Sequence, residues 1–267
     1  DPGTLVKPVL SEAVHGFHEG ASIRKRDGLY YLVYTDISRG RATSMAYATA
    51  RSPLGPYAKG GIIIDNTGCD PETWNNHGSI AEFHGQWYIF YHRSSQASKF
   101  SRRVCVEPIH FSADGSIDEV EMTTQGASRP LDATQHIDAF RACLLSGQVR
   151  TASLPPSEGR DGWSEHLTLI QNGDWAAYKY LDFGDGVGAF YARAGSLAYG
   201  GKIEAHIDAP DGPLVAACEV PRTGGWQRWT TTESRISSPV TGTHAVYLVF
   251  TGGAHRLFDF DSFWFAR

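Results

Sequence analysis

The sequence predicts an all-β protein in two parts: repeated antiparallel hairpins, then a β-sandwich. Three observations predict it. Aromatic and β-branched runs of strand length recur between Gly, Asp and Pro. A hairpin unit repeats within the first 110 residues at the long period that propeller blades give. Beyond residue 137, turn residues return about every 8–12 positions, the rhythm of a sandwich. The 29 glycines and 13 prolines among 267 residues agree, because both punctuate chains of short strands. No 3.6-residue periodicity is sustained.

The elements follow in order. Ser22-Ile23-Arg24-Lys25 leads through an Asp27-Gly28 turn to Leu29-Tyr30-Tyr31-Leu32-Val33-Tyr34, and a third strand spans 44–50. The pattern recurs as 78–83, a His84-Gly85 turn, Gln86-Trp87-Tyr88-Ile89-Phe90-Tyr91, and a strand over 104–109. Both turns open G-x-x-Y-x-x-Y, about 57 residues apart. Propeller blades are one reading of the repeat, and two unrelated hairpins are the other. Polar, turn-rich text around Thr123–Pro130 reads as a linker, which gives domains 1–122 and 137–267 joined by 123–136. In the second domain the turns are Asn172-Gly173, Gly184-Asp185-Gly186, Gly200-Gly201, Asp211-Gly212, Gly224-Gly225 and Gly252-Gly253.

The formal net charge of −5 argues against a nucleic-acid partner, which favours a basic stripe. No apolar run reaches the roughly 18 residues of a membrane-spanning helix. Asp1-Pro2-Gly3 reads as a turn rather than the start of a signal peptide, so a mature or processed form is expected. The cysteines at 69, 105, 143 and 218 are too irregularly spaced for a structural zinc site. Cys105 and Cys143 read as buried thiols, with a single bridge as the other possibility.

Phe17-His18-Glu19-Gly20-Ala21-Ser22-Ile23, followed by Lys25, Gly28 and Tyr30–Tyr34, resembles the general-acid blade of glycoside hydrolase family 43. Asn76-His77-Gly78-Ser79-Ile80 resembles that family's next blade, whose His lies on the propeller axis near a cation or water. Ser101-Arg102-Arg103-Val104 resembles a segment whose Arg contacts sugar hydroxyls. From Ile137 onward the chain resembles a family 6 carbohydrate-binding module, through 170–175, 224–231, 242–250 and 257–261. The resemblance implies a partial five-bladed β-propeller followed by a jelly-roll β-sandwich. It implies a secreted, exo-acting, inverting glycosidase on plant cell-wall polysaccharide, of the α-L-arabinofuranosidase or β-xylosidase type. A galactan-cleaving relative and a non-catalytic carbohydrate-binding protein with a relic propeller are the alternatives.

Glycosidases flank the scissile bond with two carboxyl groups, one of them protonated. Glu19, between Phe17-His18 and the small Gly20-Ala21, fits the acid: desolvation favours the protonated form and small neighbours leave room for a sugar. By resemblance, His77 takes the axial place, either near a calcium held through water, since calcium prefers oxygen ligands, or hydrogen-bonded near the acid. Arg102, with Arg103 as its neighbour in register, offers a planar fork of donors to hydroxyls. Trp74 reads either as a residue that stacks on a sugar or as rim packing. In the family the base Asp, and a second Asp that tunes the acid, lie on blades before the acid. Only 18 residues precede Glu19, and Asp1 is too near the terminus to serve. Asp36, Asp70, Glu72 and Glu82 read as turn or strand-face residues. The expectation is a second chain that completes the propeller and supplies the base.

In the sandwich, Trp226 matches one of the family's two sugar-stacking aromatics, Leu169 stands at the other, and Asp259 stands where the family carries Asn. Trp175 and Trp229 read as core. Of the family's structural calcium ligands, Asp138 and Asp261 match while Phe140 replaces an acid, which implies a weakened or absent site.

Overall fold

The computed structural model describes residues 3, 5–156 and 162–267, so Asp1 and Pro2 of the turn read at the N-terminus lie outside it. The described chain forms two compact units. The first holds the residues up to Thr67, Glu72–Ser94 and Lys99–Met122; the second holds Gly68–Pro71, Ser95–Ser98 and Thr123–Arg267.

In the first unit, β1 (Phe17–Arg26), β2 (Leu29–Asp36), β3 (Ser44–Ala50) and β4 (Ala58–Asp65) make a four-stranded antiparallel meander. A second sheet contains β5 (Ser79–Phe83), β6 (Gln86–Ser95) and β7 (Ser98–Ile109) in order. The repeated hairpins are real. Asp27-Gly28 and His84-Gly85 both have positive φ at each residue, 48° and 80° in the first and 50° and 80° in the second. That is the two-residue turn whose twist matches the flanking strands. A one-turn helix, α1 (Glu12–His15), starts at an N-cap Ser11. The Tyr34 hydroxyl donates to the His15 carbonyl at 2.8 Å, which ties α1 to β2. Tyr34 packs with Leu10, Ala46, Ala48, Ala50 and Tyr57. The alanines of β3 leave room for these rings, each worth about 1.5–3 kcal/mol when buried.

Register around Glu19 is irregular. Phe17 pairs with Asp36, Glu19 with Thr35 and Ser22 with Val33, with a shift on each side of Glu19. Such a bulge re-aims a side chain from the regular pleat.

The second unit is a sandwich of two six-stranded sheets. One contains β10 (Leu144–Leu145), β13 (Trp175–Asp182), β18 (Thr243–Thr251), β15 (Gly201–Ile207) and β16 (Leu214–Val220), with β8 (Leu131–Asp132) on β13. The other contains β11 (Arg150–Leu154), β12 (Ser164–Thr168), β19 (Asp259–Ala266), β14 (Ala189–Gly195) and β17 (Thr230–Arg235), with β9 (Ile137–Asp138) on β19. Phe183, Phe190, Phe250, Phe258, Phe260, Phe263 and Phe265 fill its core with Tyr178 and aliphatic residues.

Several expectations are corrected. The stretch 123–136 is not a free linker. The Thr124 and Gln125 amides donate to the Lys179 carbonyl at 2.6 and 3.0 Å, β8 runs parallel to β13, and Ala133 is fully buried. Trp175 and Trp229 are half-buried rather than core, with Trp175 against Tyr247 and Trp229 against His166. None of the four cysteines forms a disulfide; Cys143 is buried, whereas Cys105 is only partly so and accepts from Arg93 Nε at 3.0 Å.

Ser196 lashes three loops of the sandwich together. Its fully buried hydroxyl donates to the Leu257 carbonyl at 2.6 Å and accepts from the Gly200 amide at 2.9 Å. Its carbonyl accepts from the amides of Thr223 and Gly224. Ser196→Ala strands a buried amide and a buried carbonyl, so urea unfolding followed by tryptophan fluorescence should show the second unit losing about 2 kcal/mol. A change below about 0.5 kcal/mol would contradict this role.

Candidate functional site

The bulge in β1 turns Glu19 toward the segment preceding β5. Glu19 Oε1 lies 3.1 Å from His77 Nε2, both side chains being partly open to solvent at 47% and 36%. The contact has ion-pair distance without hydrogen-bond alignment, since His77 Nε2 has no hydrogen-bond partner. Gly20 makes the approach possible. Its φ is +67°, and a Cβ there would stand 2.7 Å from His77 Cδ2.

His77 is held from behind by a buried polar scaffold. Its amide donates to His92 Nδ1 at 3.2 Å. Nδ1 is therefore an acceptor, and the ring proton sits on Nε2, which faces Asn75 Oδ1 at 3.1 Å. Asn66 donates to the carbonyls of Asn75 and His92 at 3.0 and 2.8 Å, and Asn76 donates to the Thr43 carbonyl at 2.9 Å. The Thr35 hydroxyl, across from Glu19, donates to the Asn76 carbonyl. Burial, with the nearby Arg102 guanidinium adding to it, pushes His92 down to about 4. Sequence reasoning missed His92. The signal was the register: Ser79 pairs with Phe90, which sets 77 across from 92.

The other residues singled out from the sequence are less gathered. Arg102 is exposed on β7 between the exposed Phe100 and Val104, and its Nε donates to the Lys99 carbonyl at 3.2 Å. Trp74 is 48% exposed, with Lys99 Nζ 4.9 Å from its ring centroid. Asp36 Oδ1 accepts from the Ser38 amide and hydroxyl, Asp70 from the Ala97 amide, and Glu82 from the Gly85 amide. Those are turn roles; Glu72 is exposed.

In the second unit, Asp259 is turned into the protein interior. It is 1% exposed. Its Oδ1 accepts from Thr168 Oγ1 at 2.8 Å and from Arg256 Nη2, while Oδ2 lies 3.2 Å from His166 Nε2. The Arg256 guanidinium carbon lies 3.9 Å from the Trp226 ring centroid and so covers one face of that ring.

Asp138 and Asp261, the two residues that match the family's calcium ligands, are a poor fit to the ion. Arg193 Nη1 lies 3.4 Å from Asp261 Oδ2, so a guanidinium already supplies the positive charge there. The Phe140 side chain offers no oxygen where the family carries an acid. Among the described residues, no group of three or more His, Cys, Asp or Glu side chains is placed to hold a metal ion.

Blade-like antiparallel meanders carrying an open Glu–His pair, followed by an aromatic-cored sandwich, define a propeller-type glycoside hydrolase segment with a carbohydrate-binding module. Family comparisons give the particular assignment: residues 3–117 match glycosyl hydrolases family 43 and residues 149–267 match carbohydrate binding module family 6. The chain thus joins part of a family 43 glycosyl hydrolase to a family 6 module. It is 32% identical to an arabinoxylan arabinofuranohydrolase of Bacillus subtilis, over 93% of this chain and 51% of that protein. It is 30% identical to one of Paenibacillus polymyxa, over 92% of this chain and 41% of that protein. The crystal structure of a family 43 arabinoxylan arabinofuranohydrolase from Bacillus subtilis, in complex with cellotetraose, superposes with a TM-score of 0.55. It shares 33% identity with this chain, over 94% of this chain and 54% of that one. The chain therefore spans about half the length, or less, of these relatives.

Two outcomes follow. His92 is held neutral to about pH 4 when folded, whereas an unfolded histidine protonates near 6.5. The unfolded chain thus binds the extra proton, and first-unit stability should fall as pH drops from about 6.5 to about 4. Urea midpoints across that window should slope less in His92→Gln than in the native chain; parallel slopes would refute the assignment. Thermal melts in EDTA and in millimolar calcium should coincide for the second unit. A calcium-dependent rise in its transition would show that Arg193 does not replace the ion.

Proposed function

We propose that this chain supplies the general acid and a sugar-binding module of an exo-acting, inverting glycosidase that removes arabinofuranosyl or xylosyl units from plant xylan. The Glu19–His77 pair carries the reading: a carboxyl group open enough to reach a glycosidic oxygen, set 3.1 Å from an imidazole and backed by a rigid polar scaffold. The kinship with arabinoxylan arabinofuranohydrolases supports the substrate class. Such polymers are met outside cells, so the site of action is extracellular.

Glu19 donates its proton to the leaving-group oxygen as the bond to the sugar breaks. Water attacks from the opposite face, activated by a carboxylate roughly 6.5–9.5 Å away. Two of the carboxylates weighed from the sequence, Asp36 and Glu82, are committed to turns. The base therefore comes from residues outside this sequence, in our reading from a second chain that completes the propeller. A lone 29.2 kDa species with full activity would contradict that assignment.

Glu19→Gln, assayed with the completing residues present, should lower kcat on arabinoxylan by about 10²–10⁴-fold. It should lower kcat on 4-nitrophenyl glycosides less, because nitrophenolate leaves without protonation. Equal activity of the variant and native protein on the polymer would remove Glu19 from the mechanism. Absence of hydrolysis with any partner would favour a purely binding role.

A further inference from the structure

Asp259 is committed to internal partners and Leu169 offers no ring, so the sandwich needs other groups if it is to grip a sugar. The loops at that end supply them. Tyr199 is 67% exposed and stacks on His255, with ring centroids 4.8 Å apart and planes at 24°. The next residue, Arg256, lies over Trp226 at 3.9 Å. Because His255 and Arg256 are neighbours, about 3.8 Å apart at Cα, Tyr199, His255, Arg256 and Trp226 form one strip across three loops.

The strip is pre-built. Ser196 fastens the loop bearing Tyr199 to the loops bearing Trp226 and Leu257. The Leu257 amide donates to the Ile170 carbonyl at 2.9 Å, and the Gly252 amide to Asn172 Oδ1 at 2.9 Å, which adds the fourth loop. Arg256 is fixed by Thr168 and Asp259. Ordering costs on binding are therefore low. The charge of Arg256 is balanced by buried Asp259, so the strip offers rings and donor hydrogens with little net charge from this pair. That combination suits the C–H faces and hydroxyls of an uncharged pyranose better than a uronate.

We propose that Tyr199, backed by His255, is the second aromatic wall of a binding site for neutral glycan chains, replacing the ring absent at Leu169. The proposal rests on the sugar-binding reading of the second unit and names the residues that perform it. Tyr199 stacks on one sugar ring, Trp226 holds the far end of the strip, and Arg256 donates to hydroxyls between them.

Affinity electrophoresis of the full chain in gels containing arabinoxylan, mixed-linkage β-glucan or polygalacturonate tests it, with circular dichroism melts confirming that the variants fold. Native protein should be retarded by a neutral polymer, Tyr199→Ala should bind at least tenfold more weakly, and Tyr199→Phe should bind nearly as native. Native-like retardation of Tyr199→Ala alongside loss in Trp226→Ala would overturn the proposal while leaving sugar binding intact. Retardation only by polygalacturonate would overturn the choice of a neutral ligand. No retardation by any polymer would defeat both the strip and the binding role of the module.

Discussion

The His77 amide donates to a neutral His92, and the candidate catalytic geometry hangs on that bond. A protonated His92 would have no lone pair at Nδ1 to accept it. Burial keeps the imidazole neutral, and the Asn75 carbonyl oxygen of the side-chain amide fixes which nitrogen carries the proton. Asn66 and Asn76 then pin the surrounding backbone from two sides. Buried polar groups of this kind are costly when unpaired and stiff when satisfied, so the scaffold gives His77 little freedom. Glu19 meets it from a bulge that only a small residue in left-handed conformation at position 20 can sustain.

The sandwich uses a different device for the same end. Two buried carboxylates, Asp259 and Asp261, are each met by an arginine from the same chain. A carboxylate left alone there would be strongly unfavourable, whereas a guanidinium fork neutralises it with directional bonds. At Asp261 the guanidinium of Arg193 stands beside a carboxylate that matches one of the family's calcium ligands. At Asp259 the pairing removes an acceptor that the resemblance assigned to sugar and turns Arg256 toward the Trp226 ring. Both pairings make the unit self-contained in charge.

Much of this was legible in the sequence. The aromatic strands β2 and β6 and their Asp27-Gly28 and His84-Gly85 turns announced themselves, because alternating rings and two-residue turns are local signals. β4 was not read, since Ala58-Lys59-Gly60-Gly61 dilutes the strand pattern of Ile62-Ile63-Ile64. The stretch 123–136 was misread because β8 is two residues long and depends on a partner about 50 residues onward. Glu19 and His77 stood out through the family pattern. His92 did not, because its role comes from cross-strand register and burial. Arg193 and Arg256 were invisible for the same reason: which carboxylate an arginine neutralises is settled by three-dimensional packing.

In the proposed enzyme the acid stands on the first unit, the glycan grip on the second, and the base comes from outside this sequence. Inversion demands space for a water between acid and base, and that spacing is the most direct check. A crystal structure of the assembled catalytic domain should place the base carboxylate roughly 6.5–9.5 Å from Glu19. A separation of about 5–5.5 Å, or a nearest catalytic carboxylate pair that excludes Glu19, would contradict it.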